Sequence, residues 1–112
     1  MVIAKVGDIL CDSWGYGMTI NEFCIVIGVN PSGKTIKCRM IGKRTISGDS
    51  REYGSEVPDP EHTFGTPFNL HVRQYDGREY YVGSHPFTDD NTKRKGSFDI
   101  WKGKPLGFNY MD

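Results

Sequence analysis

The sequence has few residues that favour α-helices. Alanine occurs once, at Ala4, and leucine occurs three times, at Leu10, Leu70 and Leu106. Glycine is common, with 14 residues, and six tyrosines and six phenylalanines accompany many β-branched side chains. Alanine and leucine are strong helix formers, whereas β-branched and aromatic residues favour strands. The composition therefore argues against a helical bundle and predicts an all-β fold.

Net charge and long apolar runs are also missing. Fourteen basic and fourteen acidic side chains cancel, so no overall field attracts nucleic acid or an anionic membrane. No apolar run reaches the length of a signal peptide or the roughly 18 residues of a membrane span. We expect a cytoplasmic protein without membrane contact. The 112 residues predict one domain, residues 1–112, with a modest core.

Cysteine and histidine are scarce and lack the spacing of known sites. The cysteines form no close pairs, which disfavours a disulfide framework or zinc knuckle and indicates buried free thiols. The histidines match no metal-ligating or Cys-His nucleophilic pattern. We interpret them as solvated surface residues, although a site assembled only in three dimensions stays open. The sequence thus predicts no catalytic residue, no metal site and no cofactor. The residues concerned are Cys11, Cys24, Cys38, His62, His71 and His85.

Two strand-like segments, residues 23–29 and 35–41, flank a turn sequence. Asn30-Pro31-Ser32-Gly33 carries residues favoured at successive positions of a type I turn. The register that collects apolar side chains on one face places Lys37 and Arg39 on the outer face. Its inner pairs are Val29 with Ile36, Ile27 with Cys38 and Ile25 with Met40.

The same region contains a match to the phosphate-binding P-loop, GVNPSGKT at residues 28–35. A P-loop requires a helix that begins at its Lys-Thr pair, because the helix N-terminus helps to hold the phosphates. The residues after Lys34 alternate with period two and are rich in β-branched side chains, which is typical of a strand. We therefore interpret the match as a hairpin turn. Nucleotide binding and hydrolysis through Lys34 is kept as an alternative.

A second hairpin is predicted around Tyr75-Asp76-Gly77. A three-residue loop with Gly77 in the left-handed conformation pairs apolar residues with one another. Before it, residues 42–65 lose the alternation and gather Gly, Ser, Asp, Glu and Pro, which predicts a long irregular loop. About five or six short strands favour a small, strongly bent antiparallel barrel of the SH3-like type. The predicted pairs of this hairpin are Val72 with Tyr80, Leu70 with Val82 and Arg73 with Glu79.

Aromatic and basic side chains provide candidate binding residues. The corner Ser13-Trp14-Gly15-Tyr16 either closes the core or lines a groove toward Trp101. Basic residues on one outer face, and Tyr81 with His71 on another, offer the charge and stacking that small barrels use to bind peptides or single-stranded nucleic acid. The other interpretation is that the basic residues keep an exposed strand face soluble and protect an edge. The candidates are Trp14, Tyr16, Thr19, Lys37, Arg39, Tyr81 and Trp101.

The pattern of the first forty residues resembles a known group of proteins. Gly7-Asp8-Ile9-Leu10 precedes the aromatic corner, Thr19 and Phe23 follow it, and Trp101-Lys102-Gly103-Lys104-Pro105 stands near the end. These segments resemble a group of small uncharacterised proteins encoded by bacteriophages and bacterial mobile elements. The resemblance implies a phage or prophage setting, intracellular expression and a strand-rich fold. It implies no activity.

Taken together, these features lead us to expect a non-enzymatic small β-barrel binding module. Its expected partner is a host macromolecule; the zero net charge favours a host or phage protein, and nucleic acid is kept as the alternative partner. A structural phage component that assembles through a strand edge is the main alternative. The oligomeric state stays open.

Overall fold

The computed structural model describes residues 4–14, 19–49, 53–86 and 93–109, and these residues form seven strands. None of the described residues lies in a helix long and apolar enough to cross a membrane. The strands are β1 (Ile9–Trp14), β2 (Ile20–Val29), β3 (Thr35–Asp49), β4 (Tyr53–Tyr75), β5 (Arg78–Pro86), β6 (Lys93–Ile100) and β7 (Leu106–Asn109).

Six of the strands close into a barrel. Their order is β3-β2-β1-β6-β5-β4, and β3 also pairs with β4, so the sheet returns to its first strand. Every pair is antiparallel, and β7 pairs with the start of β4 outside the ring. The predicted fold class, an all-β small antiparallel barrel, is confirmed.

Alternate residues of each strand fill the barrel. Side chains that point inward from neighbouring strands meet there because successive residues of a strand face opposite sides. Removing this apolar surface from water is the main stabilising contribution of the interior. The core consists of Ala4, Leu10, Cys24, Val26, Ile36, Cys38, Met40, Phe68, Leu70, Tyr81 and Phe98.

The hairpin turn predicted at residues 30–33 is confirmed. The Gly33 N–H donates a hydrogen bond of 2.9 Å to the Asn30 carbonyl, and the Ser32 N–H donates one of 2.9 Å to Asn30 Oδ1. β3 begins at Thr35 immediately afterwards. A strand therefore stands where a P-loop would need a helix.

The predicted register of this hairpin holds beside the turn and is wrong beyond it. A bulge at Ile27 inserts one extra residue into β2 and shifts the pairs that follow. Cys38 therefore pairs with Val26 instead of Ile27, and Ile27 is left 43% exposed. Bulges increase the local twist of a strand, which suits a small closed barrel. Val29 with Ile36 is paired as predicted, whereas Met40 pairs with Cys24 and Arg39 with Ile25.

The prediction of a long irregular loop at residues 42–65 is wrong. Residues 42–49 of β3 pair with residues 53–59 of β4, and pairing resumes at Thr63. The register of this long hairpin shifts at several places. Each shift interrupts the period-two pattern, because a bulge turns the following side chains to the other face. The sequence consequently looks irregular although the backbone is extended.

The second hairpin has a two-residue turn instead of the predicted three-residue loop. Asp76 and Gly77 both have positive φ, 54° and 74°, which is the type I′ geometry whose twist matches the flanking strands. Tyr75 pairs with Arg78, and Val72 pairs with Tyr81. The observed register buries the Tyr81 ring, which stabilises the fold more than the predicted Arg73–Glu79 surface pair would.

Gly77→Ala tests the conformational requirement of this turn. No atom of the described residues lies within 4 Å of the position that a Cβ would take, so the expected loss of about 1 kcal/mol of unfolding free energy comes from the positive φ. Urea denaturation measures it. Gly28→Ala is the control, because that Cβ would make only an ordinary contact of 3.7 Å with Lys37. Equal losses of unfolding free energy in the two variants would contradict the conclusion that the positive φ of Gly77 causes the loss.

Candidate functional site

Polar side chains occupy inward positions at one end of the barrel. Asp12 of β1 pairs with Glu22 of β2, and His85 of β5 pairs with Arg94 of β6. Both pairs continue the alternation of buried core residues along their strands. Glu22 is buried and His85 is 0% exposed. Two carboxylates, an imidazole and a guanidinium therefore meet inside the barrel; we call them the barrel-end cluster.

His85 is held firmly by its neighbours. Its Nδ1 lies 2.9 Å from the Pro86 carbonyl oxygen, and its ring lies between two phenylalanines. The centroid of the Phe98 ring is 5.2 Å away in an edge-on arrangement, and that of Phe68 is 5.9 Å away. The prediction that His85 is a solvated surface residue is wrong, whereas His62 and His71 are exposed as predicted. In the observed register of the second hairpin, Tyr81 points into the barrel. Because every second residue of a strand faces the same side, His85 points inward as well.

The charged atoms of the barrel-end cluster lie close together. Glu22 Oε2 is 3.5 Å from His85 Nε2 and 3.5 Å from Arg94 Nε. Burial raises the pKa of Asp12, and a backbone hydrogen bond at Ser97 and the charge of Arg94 oppose that shift. Buried charges are costly unless they are paired, so the opposite charges within this cluster offset one another.

A cleft opens beside the barrel-end cluster. Its volume is about 720 Å³, and Asp12, Arg94, Gly96 and Ser97 contribute to its wall. Gly96 lies directly against the cluster. A Cβ at this position would be 2.9 Å from His85 Nε2 and 3.0 Å from Asp12 Oδ2. Ions and small molecules can therefore approach the half-buried Asp12 from this side.

A second polar network, centred on Asn21, attaches β7 and the far half of the long hairpin to β2. The Asn21 side-chain amide donates hydrogen bonds to Glu56 Oε1 at 3.0 Å and to the Gly107 carbonyl at 2.8 Å. Its oxygen accepts one from the Ser13 hydroxyl. The Lys43 ammonium donates to the backbone carbonyl of Asn21 at 2.6 Å and lies 3.6 Å from Glu56 Oε1. This network is structural, since its groups satisfy one another.

Tyr81 and Trp101, two of the predicted binding residues, contribute to the same groove. The groove has a volume of about 530 Å³ and an apolar floor with charged side chains around it; we call it the Trp101 groove. The Trp101 indole N–H donates to the Lys104 carbonyl at 2.7 Å, and its ring meets Phe23 edge-on at 6.4 Å. The groove is lined by Cys11, Gly77, Arg78, Glu79, Tyr81, Asp99, Ile100, Trp101, Lys102, Lys104 and Leu106.

The predicted position of Tyr81 on the outer face is wrong. Its side chain is 0% exposed and belongs to the core. The hydroxyl accepts a hydrogen bond from the Ala4 N–H at 3.2 Å and donates one to Glu79. Burial raises the pKa of Tyr81. Tyr81 therefore supports the groove from below and does not provide a stacking surface.

Among the other predicted binding residues that the structure describes, Lys37, Arg39 and Thr19 do not line the Trp101 groove. Lys37 is exposed on the outer face of β3 as predicted, and Arg39, on the same face, donates to the Gly65 carbonyl at 3.3 Å. Thr19 is exposed. The backbone of Trp14 ends β1, but its side chain and all of Tyr16 lie outside the described residues.

The three cysteines are free thiols. Cys11 is half-buried in the groove wall, and burial, together with the charges of Asp99 and Asp12, raises its pKa to about 11. Burial also raises the pKa of Cys24. Thiols of this kind stay protonated at neutral pH and are weak nucleophiles.

Comparisons with protein-family models, curated proteins and solved structures yield no match. The resemblance to phage-encoded proteins stays a prediction.

Alkylation tests the state of Cys11. We expect its reaction with iodoacetamide to rise with a midpoint near pH 11, compared with about 8.5 for an ordinary cysteine. Peptide mass spectrometry across a pH series measures the rate, and Cys11→Ser identifies the contribution of the other thiols. A midpoint near 8.5 would contradict the burial argument.

Asn21→Ala tests the second polar network. Because Asn21 and Glu56 are only 1% and 2% exposed, we expect a loss of about 2–4 kcal/mol of unfolding free energy as buried partners lose their hydrogen bonds. Denaturant titration measures it, with Asn69→Ala at an exposed β4 position as the control. A similar small effect in both variants would show that the network contributes little.

Proposed function

We propose that this chain is a non-enzymatic binding module that holds an extended segment of a partner protein in the Trp101 groove. The observation that supports this most directly is the groove itself. It combines the Trp101 ring with Ile100 and Leu106 in its wall, and charged side chains surround them. Protein interfaces typically have an apolar, aromatic centre and a polar rim.

The charges of the groove indicate the chemistry of the partner segment. Arg78 and Asp99 pair with each other at 3.5 Å, and Glu79 accepts from Tyr81. Lys102 and Lys104 are exposed at the rim. An apolar or aromatic side chain next to an acidic one would fill the groove and meet these ammonium groups. Such complementarity increases both specificity and the rate of association.

The proposed setting follows from the sequence resemblance. A phage- or prophage-encoded protein works inside its host cell, so we propose a host protein as the partner and the host cytoplasm as the location. The three free cysteines support a reducing compartment.

Several structural features favour this proposal over the alternatives. β3 starts at Thr35, directly after the P-loop match, so the backbone there does not have the geometry that holds nucleotide phosphates. The raised pKa of Cys11 disfavours nucleophilic catalysis. Barrel closure pairs the edges of β3 and β4 with each other within the ring, which leaves fewer edges through which strands assemble. On β3, Arg39 is engaged with the Gly65 carbonyl, which makes it less suited to bind phosphates.

Selection from a displayed random-peptide library tests the proposal. We expect the enriched peptides to share an apolar or aromatic residue beside Asp or Glu. The double variant Lys102→Glu, Lys104→Glu should bind them roughly tenfold more weakly, since two attractive rim charges become repulsive. Titration calorimetry at low salt measures the affinity.

A double variant with the same change of charge is the control. Lys5→Glu, Lys34→Glu changes two exposed lysines that do not line the groove, and it should leave the affinity nearly unchanged. Equal weakening in both variants, or enriched peptides without a common feature, would contradict the proposal. Capture of single-stranded oligonucleotides in place of peptides would favour nucleic acid instead.

A further inference from the structure

We propose that Asp12, Glu22 and His85 form a binding site for a divalent first-row metal ion, with Zn²⁺ as the best fit. One ligand atom from each of these side chains lies within 4.8 Å of the other two. The residues come from β1, β2 and β5, so no sequence motif reveals them. The site lies inside the barrel and is separate from the Trp101 groove.

The hydrogen bond of His85 prepares its other nitrogen for a metal. A carbonyl oxygen can only accept, so the contact of 2.9 Å with Pro86 places the proton on Nδ1. In the neutral ring, Nε2 then carries a lone pair. Metal-ligating histidines usually fix their other nitrogen in this way, which sets the tautomer and the ring orientation.

His85 Nε2 lacks the partner that a buried nitrogen requires. Within the described residues, this atom is buried and makes no hydrogen bond. It faces Glu22 Oε2 at 3.5 Å, well beyond the 2.7–2.9 Å of a charge-assisted hydrogen bond. Two ligands of one tetrahedral zinc ion are about 3.4 Å apart, given bonds of 2.0–2.2 Å. A cation between the two atoms would give His85 Nε2 a partner and would bind the Glu22 carboxylate as well.

Gly96 provides the space that the ion requires. A Cβ at this position would approach both His85 Nε2 and Asp12 Oδ2 to 3.0 Å or less, so these two atoms converge over the glycine. The adjoining cleft, which Asp12 and Gly96 help to line, gives the ion a route of entry. It also leaves room for a water molecule as a fourth ligand, as in zinc sites with three protein ligands.

The type and number of ligands select the metal. One imidazole and two carboxylates suit zinc and its neighbours, whereas Ca²⁺ and Mg²⁺ prefer six or more oxygen atoms. Arg94, 3.5 Å from Glu22 Oε2, opposes a cation by its charge, but it also orients the carboxylate. With Zn²⁺ bound, two carboxylates and one guanidinium leave a net charge of +1, which is tolerable beside an open cleft.

Zinc titration of the chelator-treated protein tests the site. We expect calorimetry to show one Zn²⁺ per chain and the thermal unfolding midpoint to rise, since the ion binds only the folded arrangement. Co²⁺ in place of Zn²⁺ should give the intense visible absorption of four-coordinate cobalt.

Variants distinguish this site from binding elsewhere. Asp12→Asn, Glu22→Gln and His85→Gln should each weaken zinc binding at least tenfold. Gly96→Ala removes no ligand but should weaken it as strongly, because the methyl group occupies the space over the glycine. The control is His62→Gln, a change at an exposed histidine outside the cleft that should leave the affinity unchanged.

The outcome is decided by comparing folded variants, checked by circular dichroism. If Glu22→Gln or His85→Gln fails to fold, the zinc affinities of Asp12→Asn and Gly96→Ala, at half-exposed positions, test the proposal. Absence of zinc binding by the parent protein would overturn the proposal. So would binding that survives Asp12→Asn and Gly96→Ala, or binding that is lost in His62→Gln. In those cases the barrel-end cluster is a buried network of ion pairs that serves the fold alone.

Discussion

Closure of the barrel is the constraint on which the rest of the structure depends. Once β3 pairs with β4, all six strands have two neighbours, and the side-chain alternation of each strand is fixed by that of the next. Apolar residues fill most inward positions, but Asp12, Glu22 and His85 also have to point inward. Their burial opposes folding unless opposite charges or a bound ion compensate. The chemistry of the barrel end is thus a consequence of closure.

Composition and turn chemistry were sufficient to predict the fold class and the first hairpin turn, where Asn30 and Gly33 act within four residues. Composition and turn chemistry were not sufficient to predict which residues pair between neighbouring strands. The bulge at Ile27 and the type I′ turn at Asp76 and Gly77 each move the pairing by one residue, and local sequence does not reveal which register buries more apolar surface in the closed barrel. The far half of the long hairpin was missed for the same reason.

The candidate sites likewise contain one residue that the sequence could single out and one that it could not. Trp101 could be singled out from sequence, because a large aromatic residue among glycines and lysines is conspicuous. His85 could not, since its burial follows from Tyr81 only when the correct hairpin register is known. Cys11 and Asp12 illustrate the geometry: adjacent in β1, they point to opposite faces, one into the Trp101 groove and the other into the barrel-end cluster.

The seam between β1 and β6 has a consequence for synthesis of the chain. Leu10 pairs with Ile100 and Cys11 with Asp99, so nearly the whole chain separates the two sides of the seam. A ribosome adds roughly 5–20 residues per second, which leaves β1 with one unpaired edge for several seconds. Contacts of such long sequence separation also form slowly. A charged residue such as Asp12 in β1 disfavours pairing of that edge with other strands during this time.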